Sequence, residues 1–169
     1  MDGENFLAFL LTLLEKETQF QKEILRCAWK KRQCLLKNRM EELSELLERE
    51  GELVFQAKEV ERKIERLWKE RAPLLGFNSE KLNISDLATL VGGEEGEKFL
   101  AVQQELKEVV MELQRVNHEN AMIIRDTLNY IEVMFSIILR EFDRKEQSYG
   151  WFGTGFENGP RGLIINGVV

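Results

Sequence analysis

Residues 99–142 read FLAVQQELKEVVMELQRVNHENAMIIRDTLNYIEVMFSIILREF, and the spacing of their apolar side chains decides the fold. On a wheel of ~100° per residue with Ile131 at zero, Phe99, Val102, Leu106, Val109, Val110, Leu113, Val116, Ile124, Leu128, Ile131, Met134, Phe135, Ile138 and Phe142 fall in one arc of about 120°. The pattern predicts one long amphipathic helix whose stripe faces a core. Asn117 and Asn120 lie in the same arc, where an aliphatic side chain would pack better. A buried Asn costs stability unless its amide is satisfied, and its attested use in a helical seam is to fix register.

After residue 121 the helix changes character. Met122, Ile123, Tyr130, Val133 and Ile137 occupy a flank where the first half carries Glu105, Glu108, Glu112, Arg115 and Glu119. This spare apolar flank is the candidate partner-binding face; the alternative is that preceding helices cover it, since a long helix can pack on two sides in a bundle.

Working outward, residues 5–36 repeat apolar side chains at three-and-four spacing: Phe6, Leu10, Leu13, Phe20, Ile24, Cys27, Ala28, Cys34 and Leu35. Asn38 followed by Glu41 reads as an N-cap with its capping-box partner, so a turn near Lys37 starts a second helix; one continuous bent helix is the alternative. That second stretch turns Met40, Leu43, Leu46, Leu47, Leu53, Ala57, Val60, Ile64 and Leu67 inward, with Gly51 marking a bend or close crossing, and ends at Pro73 and Gly76. A connector follows in which Asn83 or Ser85 caps a short helix over Leu87, Ala88 and Leu90, stopped by Gly92 and Gly93. The expected fold is all-α: a bundle of long antiparallel helices over residues 1–149, one short connector helix and an irregular C-terminal tail over 150–169.

The tail is different material, holding six of the chain's 12 glycines. Its junction and aromatics, Tyr149, Trp151, Phe152 and Phe156, suit a docking motif; the alternative is a tail that folds back on the bundle.

Composition narrows the function. A formal charge of -6 disfavours nucleic acid or an anionic membrane as main partner. The apolar run 6–14 is too short to span a bilayer and has no basic residues before it, so a cytoplasmic protein without membrane insertion is expected. Cys27 and Cys34 share an apolar face and read as packing residues, and His118 has no ligand partner at metal-binding spacing. The carboxylates sit on charged faces beside Lys and Arg, where desolvation cannot tune them as acids or bases. No catalytic constellation, cofactor motif or metal set is present in the sequence, and a non-enzyme is expected.

Several short features stand in a particular order: Leu46 to Glu50, then Glu70-Arg71 with Leu75-Gly76, then Asn117 and Asn120 followed by Leu128 and Ile131, then a Tyr149-Gly150 junction. In this the chain resembles the FlgN family of flagellar type III export chaperones. The Trp-Phe-Gly-Thr-Gly-Phe run of the tail departs from that pattern. The resemblance implies a cytosolic chaperone that holds the hook-filament junction proteins FlgK and FlgL near their C-terminal ends, prevents premature assembly and delivers them to the export gate FlhA. Periodicity alone implies an all-helical binding module, monomeric or homo-oligomeric, and leaves a structural coiled-coil scaffold as the rival.

Overall fold

The chain is described from a computed structural model, which covers residues 3–78, 80 and 82–149, with side chains over residues 5–142 of that range. Helix α1 spans Gly3–Leu36 and α2 spans Met40–Arg71. Between them the chain reverses, so residues 5–72 form a hairpin rather than one bent helix. Arg39 N donates to Cys34 O at 2.9 Å, Asn38 N donates to Leu35 O at 3.3 Å, and Asn38 takes φ 53°. That is a left-handed stop at the end of α1. Asn38 therefore closes α1 instead of capping α2, whose N-cap is Arg39 without a side-chain cap bond. Asn fits either role, because among non-glycine residues it tolerates the left-handed region best.

α2 ends through a 3-10 turn, Ala72–Leu75, with Pro73 in its first positions and Gly76 at φ 77°. Asn83 caps α3, Ile84–Val91, its side chain accepting from the backbone N–H of Ser85 and Asp86. Helix α4 then runs Gly93–Tyr149. The chain divides into two compact units, Met1–Asp126 and Thr127–Val169, with the division inside α4.

In the first unit α2 runs antiparallel to α1, and Lys31 Nζ meets Glu50 Oε2 at 2.6 Å near their common end. α4 runs alongside α1 in the same direction: Lys22 Nζ contacts Glu105 Oε1 at 2.6 Å, Asn120 Nδ2 donates to Ala28 O at 2.9 Å, and Arg32 pairs with Glu119. One core cluster joins Phe6, Leu10, Leu13 and Leu14 of α1, Val60, Ile64 and Trp68 of α2, Leu87 and Ala88 of α3 and Phe99 of α4. A second joins Ile24, Cys27, Leu53 and Ala57, with Leu113 packed against it. Cys27 and Cys34 are buried free thiols. The inward set of α2 is shifted from expectation: Met40 and Leu47 are exposed, Leu67 is half-buried, and Trp68 takes the core position.

The glycines of α2 and α4 behave oppositely. A Cβ on Gly51 would meet nothing within 4 Å, so this glycine marks no close crossing, whereas a Cβ on Gly96 would lie 2.5 Å from the backbone oxygen of Ala88. Gly96 is what lets the first turn of α4 touch α3. Gly51→Ala is expected to stabilise the chain by about 1 kcal/mol through helix propensity. Gly96→Ala is expected to destabilise it by about 1 to 3 kcal/mol despite the same propensity gain, because a helix backbone cannot yield as a side chain can. Paired urea melts decide between these signs.

Candidate partner-binding surface

Within the first unit, α4 buries the start of its stripe. Phe99 and Val116 are buried, and Val102, Leu106, Val109, Val110 and Leu113 are half-buried. Asn120 is also buried, with Nδ2 on the Ala28 carbonyl and Oδ1 without a partner. Asn117 is exposed, at the rim of a groove that includes Ile24, Val54, Ala57 and Leu113. The outer edge of the α1–α4 contact is polar: Arg115 bonds Glu112 and Glu119 at 2.6 Å, and the guanidinium groups of Arg32 and Arg115 stand 5.0 and 5.6 Å from the ring centre of Trp29.

Beyond Asn120 the stripe stops being core. Ile124, in the first unit, is exposed. So are Leu128, Ile131, Met134, Phe135, Ile138 and Phe142 in the second, against the expectation of one sustained seam. Ala28 lies level with Asn120 and Arg32 with Glu119, so within the first unit α1 reaches its end at Leu36 only one to two turns further on.

In the second unit every described side chain from Thr127 to Phe142 is exposed. Leu128, Ile131, Phe135, Ile138 and Phe142 alternate by three and four, the spacing of one coiled-coil seam. Tyr130, Val133 and Ile137 repeat the spacing about 145° away round the helix, as a second seam. Leu139, 61 % exposed, widens the first seam on its other side. Asn129, Glu132, Ser136 and Arg140 fill the remaining polar sector. A helix this apolar around its circumference is ordinarily buried on more than one side, and large exposed apolar patches occur where proteins meet partners, ligands or membranes.

Tyr130, Val133 and Ile137 thus share one face of one helix. Met122, exposed, and Ile123, half-buried, belong to the other unit. Tyr149 is the last residue of α4, while Trp151, Phe152 and Phe156 lie outside the described residues. The first seam and Leu139 were missed as surface because periodicity shows which residues share a face and not how far the covering helices extend. The signal available was the all-round apolar character of residues 128–142.

Among the described residues, no group of His, Cys, Asp and Glu side chains could hold a metal ion, and no helix is long and apolar enough to cross a membrane. The Glu17 carboxyl is pushed above its ordinary range by burial and by Glu61, opposed by the bond it accepts from Gln21, and it lines a groove with Ile24, Ala57 and Lys58.

Compared with families of known proteins, the chain matches the family described as FlgN protein over residues 3–154. No curated protein and no solved structure is matched.

Proposed function

We propose, from the premise that this chain belongs to the FlgN family of flagellar export chaperones, whose members bind flagellar hook-associated proteins, that residues 128–142 of α4 are where it holds its client. The clients are the junction proteins FlgK and FlgL, held by their C-terminal helical segments in the cytoplasm and passed on to the export gate component FlhA. The observation that carries this reading is the pair of apolar seams on one exposed helix, which fits a partner helix adding itself to a bundle. A client segment that later assembles through an amphipathic helix would self-associate if left free. Seating that helix against Ile131, Phe135 and Ile138 on one side, or Tyr130, Val133 and Ile137 on the next, hides the assembly surface until export.

The same heptad spacing also suits a second copy of the chain, which would make the protein a coiled-coil scaffold. Sedimentation separates the readings: a scaffold stays assembled on dilution and ignores client fragments. Calorimetric titration of the full chain with C-terminal fragments of FlgK and FlgL tests the chaperone reading. Saturable binding at about 1 μM or tighter, with a negative heat-capacity change from apolar burial, is the expected result. Absence of heat with both fragments and with both intact clients would overturn it.

A further inference from the structure

We infer that the open groove between α1 and α2, on the side lined by Arg26, Lys30 and Arg49, receives a helix of another protein that carries carboxylates beside an apolar stripe. The groove lies wholly in the first unit, and its occupant is independent of the client held by α4. Arg26 and Lys30 of α1 and Arg49 of α2 converge on a hollow of about 220 Å³ that Cys27, Leu46 and Leu53 also line. A second hollow, of about 440 Å³, shares Lys30, Leu46 and Arg49 with the first and adds Cys34 and Arg39, so the two form one groove toward the hairpin turn. It follows α1 from Glu23 to Cys34, ~17 Å of helix axis, which is room for about three turns of a partner helix.

The way α1 meets its own neighbours indicates the charge of that partner. Lys22 meets Glu105 of α4, Lys31 meets Glu50 of α2 and Arg32 meets Glu119 of α4. Each of these cations takes its carboxylate from the helix packed beside it. Arg26, Lys30 and Arg49 are exposed and pair with no carboxylate among the described residues. Glu23 is the carboxylate that lines the smaller hollow, and it accepts from Gln19. Three like charges gathered over an apolar floor repel one another, Arg26 and Lys30 as a pair four residues apart on one helix. They stand together in a chain whose 30 acidic side chains outnumber its 24 basic ones. A helix docked in the groove would supply their counter-charge from outside, as α2 and α4 do for the other cations of α1.

Spacing and surroundings select a helix over other anions. Arg26 and Lys30 are one turn apart, ~6 Å along the axis, so a helix lying along α1 meets both with carboxylates at its own four-residue repeat. Its apolar stripe then falls on Leu46 and Leu53 between the cationic heads. A nucleic-acid backbone fits poorly, because Glu45, Glu48 and Glu52 line the adjoining surface of α2 beside Arg49. A continuous row of phosphates would meet those carboxylates too, whereas carboxylates confined to one edge of a helix avoid them.

Two model peptides test the inference, both helical with the same leucine stripe, one flanked by Glu at four-residue spacing and the other by Lys. At low salt the full chain should bind the Glu peptide at least about tenfold tighter than the Lys peptide, and the preference should shrink as salt rises. A chain carrying Arg26→Glu and Lys30→Glu should reverse the preference, and the milder pair Arg26→Gln and Lys30→Gln should abolish it. A chain carrying Ile131→Asp and Phe135→Asp should keep it, which separates this groove from the seams of α4. Amide exchange in the complex should slow at residues 23–34 and 42–53. Equal binding of the two peptides by the parent chain would overturn the inference, as would a Glu preference that survives both sets of changes at Arg26 and Lys30. Displacement of the Glu peptide by a single-stranded oligonucleotide at equal concentration would overturn it as well, because the groove would then be a general anion site.

Discussion

Trp68→Ala is expected to remove about 3 to 5 kcal/mol of stability, the range for truncating a large buried aromatic side chain. Trp68 is 2 % exposed and belongs to the cluster that joins all four helices, beside Phe6, Leu10, Ile64, Leu87 and Phe99. Its indole Nε1–H donates to Asn78 O at 3.1 Å, and its ring centre lies 5.6 Å from that of Phe77. The side chain thus fills the core and also ties down the connector between α2 and α3. Truncation leaves a cavity and removes the donor to the Asn78 carbonyl. Urea unfolding followed by circular dichroism measures the loss. A change below about 1 kcal/mol would mean that this end of the bundle does not share one cooperative core.

The second large effect is on binding and should leave the fold intact. From periodicity alone, Asp at Ile131 or Phe135 would put an unpaired charge into a sealed seam and unfold the protein. The structure leaves these side chains 42 % and 62 % exposed. Ile131→Asp and Phe135→Asp should therefore keep their helicity and melt within about 0.5 kcal/mol of the parent chain. Each should weaken client binding by about 1 to 3 kcal/mol through lost burial and a desolvated charge. Tyr130→Asp, Val133→Asp and Ile137→Asp test the second seam in the same way, so the two sets together identify which side carries the client. Calorimetry gives the affinities and circular dichroism the fold. Unfolding of the Ile131 and Phe135 variants would show that this face is core.

Much of this architecture was written in short-range signals. Apolar spacing located the long helices because a stripe repeating every three to four residues has one good burial solution. Pro73, Gly76 and the Asn83 cap marked the connector because each acts on its own stretch of backbone. What failed depended on neighbours in space. Asn38 fits an N-cap and a left-handed stop equally well, and the Arg39 bond to Cys34 O selects the latter. Gly51 and Gly96 are both helix glycines, and only the position of the Ala88 carbonyl tells which one is required.

The candidate surface was legible in part for the same reason. Residues 122–137 showed spare apolar character, but periodicity does not say which side chains of a stripe are covered, and Leu128, Ile131, Phe135 and Ile138 are exposed. Asn117 and Asn120 shared an arc on the wheel, while the actual contact is narrower than the arc and buries Asn120 alone. The family was legible through the order of short features, and it spans residues 3–154.

We propose that residues 128–142 of α4 receive the client. Hydrogen exchange on the full chain, with and without a C-terminal fragment of FlgK or FlgL, tests it most directly. In the complex, amides 128–142 should exchange more slowly than in the free chain, with little change across residues 93–119. Slowing confined to α1, α2 or residues 93–119, with residues 128–142 unaltered in a saturated complex, would contradict it.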